Sequence, residues 1–161
     1  TPEEIRHLQA LAAFWYNVDM GGQALTEIEI WKWMTEHPEA TPEQVKDALL
    51  SISRSIWNTY FSPVFLVEDQ HILSIYNHMI TGSFYLYNYF IGNVVMYQLF
   101  EGFSRTSAEQ GLAHACAEGN TLPDLWMDRA VGETMSVKPL LRAAGEAASF
   151  FMNREKKVLP F

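Results

Sequence analysis

The sequence predicts an all-α protein of about eight helices around one buried central helix at about residues 83–103. Three observations carry this prediction. Apolar residues recur at spacings of three and four along most of the 161 residues, N-terminal capping sequences precede these stretches, and no stretch alternates as a β-strand would. With 48% hydrophobic residues the chain can bury one core, so we expect residues 1–161 to form a single helical domain.

The first 40 residues predict two helices. Thr1-Pro-Glu-Glu4 has the threonine, proline and glutamate of a helix start, and the glycine pair at Gly21-Gly22 predicts its end. Thr26-Glu-Ile-Glu29 repeats the capping pattern and opens the second helix. His37-Pro38 ends this helix, because a residue before proline avoids helical geometry.

The middle of the chain predicts three more helices. Thr41-Pro-Glu-Gln44 opens a third helix that runs to Ser62-Pro63, and Asp69 caps a fourth that Thr81-Gly82 breaks. Ser83 then opens the central helix. This helix is apolar on almost all sides, which is typical of a helix packed inside a helical protein.

Three shorter helices complete the prediction. Thr106-Ser-Ala-Glu109 caps a sixth helix ending at Gly119, and Leu122-Pro123 begins a seventh ending at Gly132. Ser136 starts the last helix.

The charge and the cysteine content exclude several classes of protein. A formal net charge of -8 argues against nucleic acid and anionic membranes as partners, because both need a basic surface. Cys116 is the one cysteine, so an intrachain disulfide is impossible.

The apolar run at 84–103 approaches the length of a membrane span, but Asn88, Gln98 and Glu101 interrupt it, and we interpret it as a buried helix. The compartment, cytoplasmic or periplasmic, stays open.

Most candidate catalytic residues are too far apart along the chain, or on different sides of a helix, to form one site. His-Glu-x-x-His is absent, and His71 and His78 are seven residues apart, too far along a helix for one zinc ion. His114 and Cys116 are two apart and point to different sides of a helix. We therefore predict no metal site in this chain, and structural roles for His7, His37 and His114.

His78 and the tyrosines that follow it are different. Tyr85 and Tyr89 are four residues apart, on one face of the predicted central helix, and Gly92 continues that face without a side chain. Phenol hydroxyls and an imidazole on rigid helices are suitable donors to a developing oxyanion. The alternative is an aromatic core layer with His78 hydrogen-bonded to a carbonyl.

These residues also resemble a known family. This part of the chain resembles the C-terminal catalytic segment of helical gluzincin-type zinc metallopeptidases. These are the oligopeptidase F and thimet oligopeptidase group and the related angiotensin-converting-enzyme group. The resemblance lies in Ile75-Tyr-Asn-His-Met-Ile80, Phe84-Tyr-Leu-Tyr-Asn-Tyr-Phe-Ile-Gly92 and Gln98. Further landmarks are Trp31-Lys-Trp-Met34 with His37-Pro38, residues 45–58, and residues 123–132 with Pro139-Leu-Leu141.

The resemblance implies roles for the residues of this segment. Tyr89 and His78 would be catalytic, binding the substrate backbone and stabilising the tetrahedral intermediate. Tyr85, Tyr87 and Tyr76 would bind substrate, and either Tyr85 or Tyr87 would supply the second hydroxyl. Tyr76 stands where the converting-enzyme group has a lysine, so anchoring of a substrate C-terminal carboxylate by a lysine is not implied. Gln98 would be structural.

The resemblance further implies that this chain is the C-terminal part of a larger catalytic domain, one lobe of a zinc peptidase that hydrolyses peptides or oligopeptides. The zinc ligands would lie outside the chain, in the N-terminal remainder of that domain. We therefore expect zinc in the complete enzyme, none bound by this chain, and no activity of the chain alone. The alternatives are a non-catalytic helical binding or subunit module that keeps the fold, and a split enzyme whose second chain brings the zinc helix.

Overall fold

The computed structural model of the chain is built from α-helices. It describes residues 1–82, 84–104 and 107–158, with the backbone alone for 155–158. Helices make up 78% of the chain and no strand occurs in the described ranges, so the all-α class is confirmed. The α-helices of these ranges are α1 (Pro2–Glu36), α2 (Pro42–Tyr60), α3 (Ser62–Phe65), α4 (His78–Thr81), α5 (Tyr87–Phe103), α6 (Ala108–Ala117), α7 (Pro123–Val131) and α8 (Lys138–Val158), with a 3-10 turn at Ile72–Ser74.

Helix α1 corrects the predicted break at Gly21-Gly22. It continues through both glycines for 35 residues, so the first two predicted helices are one. Gly22 is a packing position: a Cβ there would lie 2.6 Å from Cζ of Phe61 and 3.0 Å from Cδ2 of Leu73. The capping prediction at Thr26 is also wrong, because its hydroxyl donates to the Gly22 carbonyl inside the helix (2.9 Å).

Helix α2 follows the prediction from sequence. The Thr41 hydroxyl accepts from the Gln44 N–H at 3.3 Å, and the Gln44 side chain accepts from the Thr41 N–H at 2.8 Å, a complete capping box.

The predicted fourth helix at about 69–80 is wrong. Asp69 has a φ of 58°, in the left-handed region, and its backbone N–H donates to the Asn58 side chain at 2.8 Å. The Asn58 amide donates back to the Asp69 carboxylate at 3.0 Å. These bonds hold the chain against α2 in a non-helical turn, and only the short 3-10 turn and α4 are helical in this stretch.

Helix α5 begins later than predicted and is less buried. Ser83, its predicted first residue, lies outside the described residues. Phe84 has a φ of 55°, which an α-helix cannot continue through, and the helix starts at Tyr87. Its buried residues are Val94 and Gln98. The expected burial of a central helix is therefore not confirmed.

The last helices lie close to their predicted bounds. Ser107 caps α6, its hydroxyl accepting from the Gln110 N–H at 3.1 Å, whereas the predicted cap Thr106 lies outside the described residues. Gly132, with a φ of 79°, ends α7 as a left-handed cap. Helix α8 begins at Lys138, two residues after the predicted start at Ser136.

The chain divides into two compact units, and the tyrosine segment belongs to the unit formed by Tyr16–Phe90. This unit contains two apolar clusters. One has Ala24, Met79 and Leu86 as its buried members, and the other has Ile56, Phe61 and Leu73.

The other unit contains Thr1–Trp15 and the described residues from Ile91 onward. Gln98 is a buried polar residue in it: its amide N–H donates to the Thr134 carbonyl at 2.8 Å, and its amide oxygen accepts from the Ser136 N–H at 2.9 Å. These two bonds fix the segment that leads into α8 and give Gln98 a structural role.

Within the described ranges, none of the helices combines the length and the apolarity that a bilayer crossing requires.

Candidate active site

The segment from Tyr76 to Tyr89 is anchored by two buried side chains. Met79 in α4 and Leu86 just before α5 are both fully buried. They hold the ends of the turn that separates the two helices, so the neighbouring polar side chains are carried on a fixed backbone. Tyr85 precedes α5, which corrects its predicted place on the same helix as Tyr89.

Four of the five predicted site residues meet through their rings. His78 stacks on Tyr76 at 4.9 Å between centroids and on Tyr85 at 5.5 Å, with interplanar angles of 26° and 20°. Tyr85 meets Tyr89 edge to face at 5.4 Å and 87°. We call Tyr76, His78, Tyr85 and Tyr89 the tyrosine cluster.

Tyr87 is the predicted site residue that the ring contacts leave out. It is 39% exposed and takes part in no ring contact among the described residues. Of the two candidates for a second hydroxyl, Tyr85 is therefore the one placed beside His78 and Tyr89.

Tyr16 of α1 joins the cluster and was not predicted. Its ring lies 6.5 Å from that of Tyr89, edge to face. Burial raises the pKa of the Tyr16 hydroxyl, and Tyr76 and Asp19 nearby add to the shift. No pattern in the sequence links Tyr16 to a segment 60 residues later, because only the folded chain brings them together.

The Tyr89 hydroxyl keeps its proton strongly. Its hydrogen bond to Tyr85, followed by partial burial, raises the pKa of Tyr89 to about 12. A phenol with this pKa is neutral across the physiological range and can donate a hydrogen bond throughout it.

The imidazole of His78 is half-buried, and its Nδ1 is shielded from solvent without a hydrogen-bond partner in the described ranges. The predicted alternative, a histidine bonded to a backbone carbonyl, is not seen at this atom. Nε2 is then the nitrogen left for a ligand.

The cluster is partly core and partly surface. Tyr76 and Tyr89 pack against the buried residues Ala24, Met79 and Leu86, while 45% of Tyr85 is exposed. Gly92, the predicted opening beside the tyrosines, is exposed but belongs to the other compact unit. The aromatic side chains therefore have a fixed inner edge and an accessible outer one.

A buried carboxylate supports the backbone of this segment. Glu27 of α1 has no exposed surface, and its oxygens Oε1 and Oε2 accept from the N–H groups of Tyr85 and Leu86, both at 3.1 Å. Glu27 was missed because the sequence placed it in the first turn of a separate helix. On one continuous α1 it shares a face with Ala24 and Trp31, where a carboxylate is unexpected.

Three other histidines, which were predicted to be structural, have partners that fix their rings. His7 stacks on Phe150 at 4.4 Å. His37 bonds the Trp33 carbonyl at 2.8 Å, and His114 bonds the Arg129 carbonyl at 2.9 Å. Each ring nitrogen facing a carbonyl must carry the proton, so these contacts fix the side chains.

Comparison of the chain with protein-family models, with curated proteins and with solved structures finds no match.

Proposed function

We propose that this chain is the C-terminal, substrate-binding part of a zinc-dependent peptidase that hydrolyses peptides or oligopeptides. The observation that carries the proposal is the tyrosine cluster itself. His78 lies in α4, Tyr85 lies between the helices and Tyr89 lies in α5, yet the ring of Tyr85 contacts both of the others. The resemblance assigns peptide binding to these same residues.

The cluster has the chemistry that peptide hydrolysis needs from a binding surface. Attack on a peptide carbonyl develops an oxyanion, which is stabilised by donors already in place. Tyr89 has a neutral hydroxyl and His78 a free Nε2 edge, and they would donate to this oxyanion or to neighbouring peptide groups. Tyr85 and Tyr76 flank His78 and would bind the substrate backbone or a side chain.

The metal belongs to the part of the enzyme outside this chain. Among the described residues, no group of three or more His, Cys, Asp or Glu side chains converges as a metal site. In the proposed enzyme the zinc ligands would come from the N-terminal remainder of the catalytic domain, as the resemblance implies. The chain's own contribution is to bind and orient the peptide and to donate hydrogen bonds.

The test is a Tyr89→Phe substitution in the complete, zinc-loaded protein. Loss of one oxyanion donor costs about 3 kcal/mol, so we expect kcat to fall by roughly 100-fold, with unchanged zinc content. Tyr60→Phe is the control, because Tyr60 is exposed at the end of α2 and has no assigned role in the site, and its kcat should stay near wild type.

Two outcomes would contradict the proposal. Equal kcat for Tyr89→Phe and wild type would remove Tyr89 from the catalytic groups. A complete protein that cleaves no peptide when loaded with zinc would favour the non-catalytic helical module.

A further inference from the structure

Glu27 is a buried carboxyl group without an ion-pair partner in the described part of the chain. No exposed surface remains on it, and no lysine, arginine or histidine described here forms an ion pair with it. Such a carboxylate persists in a folded protein only when hydrogen bonds replace its hydration. Its hydrogen-bond partners among the described residues are the backbone N–H groups of Tyr85 and Leu86.

These two N–H groups stand immediately before α5. Neither of them donates to a backbone carbonyl of the described residues, and a backbone N–H group at a buried position needs an acceptor. A carboxylate close to the start of a helix is also favoured by the helix dipole. Here the acceptor comes from α1, at a sequence distance of 58 and 59 residues.

Trp31, one turn after Glu27 on α1, holds the other end of the same segment. Its indole N–H donates to the Met79 carbonyl at 2.9 Å, and its ring lies 5.9 Å from that of Phe84. Phe84 has the left-handed backbone conformation that a non-glycine residue adopts only when its surroundings hold it. One face of α1 thus binds the backbone on both sides of the turn that carries Tyr85.

We propose that Glu27 is the positioning residue of the tyrosine cluster. By binding the Tyr85 and Leu86 amides, its carboxylate fixes the turn after α4 and sets the stacking of Tyr85 on His78. Glu27 is fully buried, so it acts through the backbone and does not contact substrate. This role concerns the folded chain and does not depend on the proposed peptidase activity.

The experiment compares Glu27→Gln with Glu29→Gln by NMR on the chain. Glu29 is the matched control, because it lies two residues away on α1 with a 45% exposed side chain that pairs with Lys32. A glutamine at 27 keeps the shape but can accept at one atom only. We expect exchange of the Tyr85 and Leu86 amide protons to accelerate on the order of 10-fold to 100-fold in Glu27→Gln, with the rest of α5 little changed.

A second readout separates positioning from general destabilisation. The His78 ring protons lie between Tyr76 and Tyr85, so their chemical shifts report the stacking. We expect them to move in Glu27→Gln and to stay in place in Glu29→Gln. Equal exchange rates and equal His78 shifts in the two variants would overturn the proposal.

The wild-type chain gives a test that needs no variant. The Tyr85 and Leu86 amides should be protected from exchange although they precede the helix. Exchange of both at the rate of an unstructured peptide would overturn the proposal, even if Glu27→Gln failed to fold.

Discussion

The two adjacent glycines of α1 allow its packing to be measured with a matched pair of variants. A Cβ at Gly22 would lie 2.6 and 2.7 Å from two ring carbons of Phe61, both far inside van der Waals contact. A Cβ at Gly21 would meet Phe90 at 3.7 Å, an ordinary contact. Gly22→Ala should therefore force buried side chains to move, and Gly21→Ala should not.

The difference between the two variants isolates the packing cost. Replacing a helical glycine by alanine gains about 1 kcal/mol of helix propensity at either position. Overpacking of a buried site costs about 1–3 kcal/mol, and only Gly22→Ala incurs it. We expect Gly21→Ala to be the more stable of the two by about 1–3 kcal/mol.

The assay is urea unfolding followed by circular dichroism, with wild type and both variants measured together. The transition midpoint of Gly21→Ala should rise above wild type, and that of Gly22→Ala should lie below that of Gly21→Ala. Equal midpoints for the two variants would refute the close approach of α1 to Phe61 and Leu73.

Two further predictions concern single hydrogen-bonded side chains. Tyr85→Phe removes the hydroxyl that contributes most to the raised pKa of Tyr89, so this pKa should fall from about 12 towards 10.0 in a tyrosinate absorbance titration; an unchanged titration would contradict the bond. Because the raised pKa favours the protonated folded state, its contribution to stability is present below pH 10 and is lost as pH rises through 12, and Tyr85→Phe should weaken that dependence. Gln98→Ala removes the buried amide that bonds the Thr134 carbonyl and the Ser136 N–H, and the loss of these two bonds should lower the free energy of unfolding by about 1–3 kcal/mol in a urea titration; wild-type stability would argue against both bonds.

The sequence predicted a helix start correctly where the capping residues are neighbours in the chain. The start of α2 follows from its own four residues, because Thr41 and Gln44 satisfy each other's backbone groups. In sequence, the glycine pair of α1 is typical of a helix C-terminus. In the structure, Gly22 lies inside the helix and leaves space for the Phe61 ring. That requirement belongs to a residue 39 positions away and leaves no mark on the local pattern.

The residues of the candidate site also fall into two groups, those that the local sequence predicts and those that only the folded chain brings in. Tyr76, His78, Tyr85 and Tyr89 could be selected from one short stretch, since their density and family resemblance are local properties. Whether Tyr85 or Tyr87 turns towards His78 could not be predicted, because the left-handed residue Phe84 breaks the helical register before them. Tyr16 and Glu27 reach the site through tertiary contacts alone.

The bond between Glu27 and the Tyr85 amide also bears on the order of folding. It closes a loop of 58 residues, so its entropic cost is met only after α1 and α2 have brought the two segments near each other. The segment immediately before α5 is then fixed late, after most of the surrounding apolar surface is buried. Removal of such a late contact mainly accelerates unfolding, so Glu27 would lengthen the lifetime of the assembled cluster more than it would speed its assembly.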